Sequence, residues 1–320
     1  MFKIAYVKFY HIHDHGAPIK YEDFIGTREI IQPILTANSD TTPHAEISEQ
    51  LVPLGLALLA NYYNQKQDQY CSIYAASAED DVRSAVQKIN SCVHDAKAII
   101  ILHPVDCNEA WHAKFPPYHR TVIYIEKRNG ILHVLHADSA ASPSFTEYCL
   151  YLVSPILSKS GGVFYSQQAI PSLKSTESNT PLLQCTYYQC GTHAFRIARS
   201  IAKNPNFLDS LQLTDLSGST EKVRFVGYKL PISFAKNAGT KLTRNALANL
   251  YGAEFTPLAK HFTKYPGKHD YVKKFADKYL RITRELYDNS TQEDLIKQID
   301  QGNARNMVAS VSKPRLIAKL

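Results

Sequence analysis

His119-Arg-Thr-Val-Ile-Tyr-Ile-Glu-Lys-Arg-Asn-Gly-Ile-Leu-His-Val-Leu-His-Ala-Asp138 is the stretch from which the rest of the chain can be read. Two β-rich runs, 119–126 and 131–138, flank Asn129-Gly130, and both of these residues tolerate the positive φ of a type I′ turn. A turn there pairs Arg128 with Ile131, so that every cross-strand pair has numbers adding to 259. Thr121 then falls opposite Asp138, and alternation puts His119 on the same face as Thr121. His119 and Asp138 become diagonal neighbours at the open end of the hairpin, with Cβ atoms roughly 7–8 Å apart. An imidazole and a carboxylate bridge such a gap, which is the geometry of a base and the acid that orients it. A register slip of one residue would turn Asp138 to the other face. His136 shares the face but sits opposite Ile123, deeper in the sheet, and reads as a core histidine, while His133 points the other way.

Further along, 184–199 reads Gln-Cys-Thr-Tyr-Tyr-Gln-Cys-Gly-Thr-His-Ala-Phe-Arg-Ile-Ala-Arg. A polar, aromatic-rich loop ends at Cys190-Gly191, and a helix is expected over 192–203 with Ala194, Ile197, Ala198 and Ile201 on its core face. A thiol at a helix N-terminus meets the partial positive charge of unpaired N–H groups, which favours the thiolate. Gln184, six residues earlier, carries an amide that can donate to an oxyanion. The competing reading is a small buried cysteine opening a core helix, since free cysteines are usually buried and inert. Tyr187 and Tyr188 have no assigned role, and Cys185 reads as a bystander.

Outward from these two segments the pattern is α+β. Residues 2–10 alternate like a strand and 20–43 read as a loop-rich connection. A helix is expected over 45–61, running through Pro53, and a short strand over 70–75. Ser77 is expected to cap a helix over 79–93, whose first turn is acidic. A buried strand over 97–103 precedes a loop over 104–117 that holds the only tryptophan, Trp111. A helix over 143–158, a strand over 162–169 and a polar loop over 171–181 lead to the cysteine segment. Helices follow over 246–251, 270–287 and 292–301. The fold class is therefore a mixed β-sheet with packed helices. The organisation expected is an N-terminal extension (1–44), a catalytic α+β domain (45–220) and a basic, mostly helical region (221–320) packing on it.

Composition narrows the function classes. The chain has 320 residues and a net charge of +7. Residues 221–320 hold 19 Lys and Arg against 9 Asp and Glu, a balance of +10, which leaves 1–220 at −3. Such a basic third calls for an anionic partner or is a solvated lysine-rich face. No apolar run is long enough to span a bilayer, and 1–8 lacks the apolar core of a signal peptide. The six cysteines (Cys71, Cys92, Cys107, Cys149, Cys185, Cys190) show no CxxC spacing and read as reduced thiols, not as a zinc site. His11, His13 and His15 alternate on one strand face, but the HxHxDH order of metallo-hydrolases is missing, so no metal is expected. No Gly-rich phosphate loop and no RNA-binding motif occurs.

His119, then Asp138-Ser139 after a hairpin, then Gln184 six residues before Cys190-Gly191: this order resembles the clan of ubiquitin-like-protein cysteine proteases. That clan includes the YopJ-like effector acetyltransferases, and Leu230-Pro-Ile-Ser-Phe-Ala-Lys-Asn-Ala-Gly239 is similar to their Leu-Pro-x-x-Phe-x-Lys-His-x-Gln stretch. The resemblance covers roughly 45–250. The chain departs from the pattern in having Asp138 where many YopJ-like proteins have Glu. It also has Arg120 where the proteases often have Trp, and Asn237 and Gly239 for His and Gln. The resemblance implies a papain-like, ubiquitin-like-protease-type fold and a Cys190–His119–Asp138 triad with Gln184 at the oxyanion. It implies acetyl transfer from acetyl-CoA to Ser, Thr or Lys of eukaryotic host proteins, activated by inositol hexakisphosphate. The polyphosphate would be held by Lys236, Lys241 and Arg244, with Arg83 and Arg315. It further implies a monomer delivered into the host cytoplasm by a bacterial specialised secretion system. A cysteine isopeptidase of the same clan, favoured by Asp138-Ser139, and a non-catalytic binding module on this fold stay open beside it.

Overall fold

A computed structural model of the chain describes residues 18–26, 50–66, 68–106, 119–139, 143–167, 190–215, 223–235, 247–249, 251–256, 270–307 and 310–311. The described strands are β1 (Ile25–Gly26), β2 (Gln50–Leu51), β3 (Ile73–Ala78), β4 (Ala96–Asp106), β5 (Thr121–Arg128), β6 (Ile131–Ala137), β7 (Val163–Gln167), β8 (Leu213–Asp215), β9 (Arg224–Tyr228) and β10 (Ser310–Val311). The main helices are α1 (Pro53–Asn64), α2 (Glu79–Ser91), α3 (Pro143–Ser160), α4 (Cys190–Ala202), α5 (Asp270–Asp288) and α6 (Gln292–Gly302). β1 and β2 pair with each other, and the other eight strands form one mixed sheet in the order β10-β4-β5-β6-β7-β9-β8, with β3 parallel to β4.

The hairpin is the centre of that sheet. Asn129 and Gly130 have φ of 52° and 78°, the left-handed values that a type I′ turn demands. The register is Arg128↔Ile131 through Val122↔Ala137, as the turn chemistry predicts. Both faces of the hairpin are covered, so its strands are apolar on both sides. Val122, Tyr124, Leu135 and Ala137 join one core with α1, α4, α5 and α6, and Ile123, Ile125, Leu132 and Val134 join a second with α2 and α3. The result is a helix–sheet–helix sandwich in which α4, carrying Cys190, and α3 lie on opposite faces.

Several boundaries differ from the sequence reading, each for a local reason. The helix expected to run through Pro53 begins there. Proline tolerates the first helical position, and Gln50–Leu51 ahead of it is extended. Ser77 does not cap α2: it is buried within β3, Ala78 is the cap residue, and Glu79, Asp80 and Asp81 supply the favourable first-turn charge. β3 lies downstream of the expected strand because its pairing with β4 runs from Ile73↔Ile99 to Ala78↔Asp106. Within the helix expected over 246–251 the described residues, 247–249 and 251, are helical, and a 3-10 turn, Gly252–Phe255, follows. The strand over 2–10 and most of the 45–52 segment lie outside the described residues, as do His11, His13, His15 and Trp111. Among the described residues no helix is long and apolar enough to cross a membrane.

Apolar positions of the basic C-terminal third are built into the first core. Tyr279 and Ile282 of α5, and Leu295 and Ile299 of α6, are buried with Leu54, Leu58 and Leu59 of α1. α1 is itself buried almost all round, as a helix apolar on every side must be. Asn64 at its end both donates to the Ile73 carbonyl and accepts from the Ile73 amide, at 2.7 Å each, tying α1 to the start of β3. Gly302, the last residue of α6, meets α1 so closely that a Cβ there would stand on the Ala57 carbonyl group. Gly302→Ala should therefore force the helices apart and cost about 1–3 kcal/mol. A denaturant titration checks this, and an unchanged midpoint would show that the α1–α6 approach is not tight.

Candidate active site

His119 and Arg120 immediately precede β5, and Asp138 immediately follows β6, so the open end of the hairpin delivers all three to one place. The structure brings His119 Nε2 to 2.7 Å from Asp138 Oδ1, with the two side chains 8% and 1% exposed. Phe145, near the start of α3, packs against the imidazole with ring centroids 4.3 Å apart, which fixes the ring's tilt. With Nε2 given to the carboxylate, Nδ1 is the ring nitrogen left for a nucleophile.

Behind this pair lies a second layer whose protons can be assigned. Thr121 Oγ1 donates to the Ala137 carbonyl at 3.0 Å, so it accepts from His136 Nε2 at 2.6 Å. His136 Nδ1 is then the acceptor for Thr146 Oγ1 at 3.2 Å. Burial pushes His136 down to about 4, which keeps it neutral and matches this tautomer. Tyr228 from β9 donates to the His136 carbonyl at 2.7 Å and pins the end of β6 just before Asp138.

Cys190 enters from the opposite layer as the first residue of α4 and is fully buried. The helix starts two residues before the sequence pattern indicates, so the thiol itself sits in the first turn, at the positive end of the helix dipole. The Arg120 guanidinium donates to Cys190 Sγ from Nη1 at 3.4 Å, and Arg120 is only 2% exposed. Burial by itself would push the thiol up. The Arg120 charge and the hydrogen bond and charge of His119 outweigh it and bring Cys190 down to about 7. For His119 burial works downward, and the Asp138 carboxylate outweighs it, so the imidazole is held well above its ordinary value. The arrangement favours a thiolate–imidazolium pair backed by a carboxylate, a combination capable of attacking an acyl carbon and protonating a leaving group.

The other cysteines differ sharply in environment. Cys71, Cys92, Cys149 and Cys190 are free thiols. Burial pushes Cys71 and Cys149 well up, so of these buried thiols only Cys190 is drawn down. Of the remaining residues singled out in the sequence, Gln184, Lys236, Lys241, Arg244 and Arg315 lie outside the described residues, with Cys107 and Cys185. Arg83 is described on α2. Its guanidinium is held by Glu79 at 2.9 Å and Asp80 at 3.5 Å, and stacks 5.3 Å from the Tyr151 ring. The structure thus joins His119, Asp138 and Cys190, and adds Arg120 and Phe145, which sequence reasoning did not assign to the site. Arg120 registers in the sequence only as the residue standing where related proteases often carry tryptophan. No spacing rule ties it to Cys190.

No protein-family model matches the chain, and no curated protein matches it in sequence. Among solved structures the chain is similar to AvrA delL154 with IP6 and CoA, at 12% identity over 71% of this chain and 78% of that one, with a TM-score of 0.41. HopZ1a in complex with IP6 is similar at 14% identity over 68% and 73%, with a TM-score of 0.40. HopZ1a in complex with IP6 and CoA is similar at 12% identity over 68% and 71%, with a TM-score of 0.39.

Proposed function

We propose that the chain is an acetyltransferase with a Cys-His-Asp triad on a ubiquitin-like-protease-type cysteine fold, passing an acetyl group from acetyl-CoA through Cys190 to a Ser, Thr or Lys acceptor. The observation that carries the reading is the 2.7 Å His119–Asp138 bond, buried beside a thiol at a helix start that two cationic groups draw down. Structural cysteines have no need of that combination.

In the first half-reaction the Cys190 thiolate attacks the acetyl carbon, and the CoA sulfur leaves with the proton of the His119 imidazolium. In the second, neutral His119 takes the proton of the acceptor, whose oxygen or nitrogen displaces Cys190. Asp138 holds the ring through Nε2 and stabilises its charged form throughout. Gln184 and the Cys190 backbone N–H are the donors assigned to the oxyanion, a role typically worth ~10²–10³ in rate.

Acetyl transfer is preferred to peptide-bond cleavage because of the Leu-Pro-x-x-Phe-x-Lys segment and the basic C-terminal third. The segment is anchored: Leu230 and Phe234 are buried, Phe234 stacks on Phe207 at 5.8 Å, and the Tyr251 hydroxyl donates to the Leu230 carbonyl. Inositol hexakisphosphate is the proposed activator, with Lys236, Lys241, Arg244 and Arg315 as its cations. Arg83 would have to exchange Glu79 and Asp80 for phosphate, so the described residues alone do not form that site, and no catalytic step is drawn through it. On this reading the acceptor belongs to a eukaryotic host protein, reached by specialised secretion into the host cytoplasm.

Pure protein incubated with acetyl-CoA, with and without inositol hexakisphosphate, should gain one or more acetyl groups by intact mass only with the polyphosphate, and Cys190→Ala should gain none. No gain, together with labelling of Cys190 by a ubiquitin-type suicide probe, would replace acetyl transfer by the isopeptidase reading. Silence in both assays with tight polyphosphate binding would leave a binding module.

Asp138→Asn should lower the acetylation rate at least about tenfold while the fold survives. Full activity in that variant would remove Asp138 from the mechanism.

A further inference from the structure

The mechanism above gives Cys190 one cationic partner, His119, whereas the structure supplies two. Arg120 follows His119 directly, but extended backbone sends adjacent side chains to opposite sides. Its stem runs past the first turn of α4, where a Cβ on Gly191 would stand 3.7 Å from Arg120 Cδ and 3.8 Å from Nε. The guanidinium therefore reaches Cys190 Sγ at 3.4 Å along a path lined by the helix start, with only 2% of the residue exposed. A guanidinium stays charged at every physiological pH and, unlike imidazole, neither gives nor takes the reaction's protons.

Resting on the reading of Cys190 as nucleophile, we propose that Arg120 is a catalytic residue, a permanent cation that keeps Cys190 ionised whether His119 is charged or neutral. The division of labour follows from the proton path. After the CoA sulfur has left with the proton of His119, the ring is neutral and must stay so to accept the proton of the incoming hydroxyl or amine. When the acetyl carbon–Sγ bond breaks, its electron pair returns to Cys190, and Arg120 is in place to receive that charge independently of the ring. Atoms and charge balance: each turnover moves one acetyl group, His119 gives one proton and regains one, and Arg120 exchanges none.

Among the described residues, Arg120 and His119 from the segment before β5 act on the thiol, with Asp138 behind His119 and the buried His193 three residues along α4. Among the influences that lower Cys190, the charge of Arg120 is the largest, ahead of either contribution from His119. Lysine in place of Arg120 would keep the charge on a shorter reach. Methionine would keep much of the volume without the charge, and replacing a buried ion by an apolar side chain of similar size is often tolerated by the fold.

The test reads the pH dependence of iodoacetamide alkylation at the Cys190 peptide, by mass spectrometry, with an unfolding midpoint recorded for each variant. The thiolate is the reactive form, so the rate rises with pH through the thiol midpoint, expected near 7 in the unaltered protein. Arg120→Met should move that midpoint up by about a unit or more, and Arg120→Lys by less. His119→Ala should still alkylate with a midpoint below the ordinary thiol value of about 8.5. An unmoved midpoint in Arg120→Met, or an ordinary thiol in His119→Ala, would overturn the proposal. If Arg120→Met unfolds, His119→Ala and Arg120→Lys still decide it. The functional reading fails separately. Absent acetylation with midpoints as expected would leave the role of Arg120 standing and remove acetyl-CoA as donor, and the converse would leave acetyl transfer and remove Arg120.

Discussion

The 2.7 Å bond between His119 Nε2 and Asp138 Oδ1 exists only because the hairpin between them is locked in one register. Its two halves lie 19 residues apart in sequence, at the open end of a seven-pair ladder closed by Asn129-Gly130. Side chains alternate with period two, so a slip of one residue would aim Asp138 at the opposite core and leave His119 without its carboxylate. The two hydrophobic cores prevent that slip. Each hairpin residue from Val122 to Ile125 is committed to one face or the other, and moving the register would exchange every one of them. The closeness of His119 and Asp138 is in this sense a by-product of a sheet covered on both sides.

Against that frame the electrostatics of Cys190 become a contest of comparable terms. Removing a thiolate from water costs several kcal/mol even after relaxation. A unit positive charge 3.4 Å away, at an effective dielectric near 20, returns about 5 kcal/mol. Neither the imidazolium nor the guanidinium needs to be exceptional for the sum to fall below an ordinary thiol. The carboxylate behind His119 matters because it keeps one of the two cations charged in a site that burial alone would neutralise. Cys149 is buried as completely and Cys71 nearly so; the Lys97 charge lowers Cys71 by less than burial raises it, and both thiols are pushed up instead.

What the sequence reveals and what it hides divide along the same line. Turn chemistry is local, so Asn129-Gly130 was enough to derive the pairing, and with it the closeness of His119 and Asp138. The helix behind Cys190 was legible from the spacing of Ala194, Ile197, Ala198 and Ile201. Arg120 was not, because its contact with Cys190 spans 70 residues and depends on how α4 docks against β5. Pro53 reads as an interruption of a helix until the extended pair Gln50–Leu51 shows that the helix begins there. Ser77 has the side chain of a cap, but its burial in β3 takes it out of that role. Charge dominates any first reading of residues 221–320, although Tyr279, Ile282, Leu295 and Ile299 are spaced for burial and are buried.

Those buried positions bear on the site itself. α4 is held on one side by the sheet and on another by α5, where Phe195 meets Tyr279 at 5.1 Å and the Arg196 guanidinium lies 3.4 Å from the centre of the Phe275 ring. Arg199 stacks 3.9 Å from the centre of the Tyr63 ring, joining the same helix to α1, and α1 is crossed by α6 at Gly302. Cys190 is the first residue of the helix that all these contacts position. A distance of a few ångströms between Sγ and its two cations is therefore maintained by packing drawn from α1, α5 and α6 as well as from the hairpin. Cys190 is placed by nearly the whole described chain, and its cations by one turn of two residues.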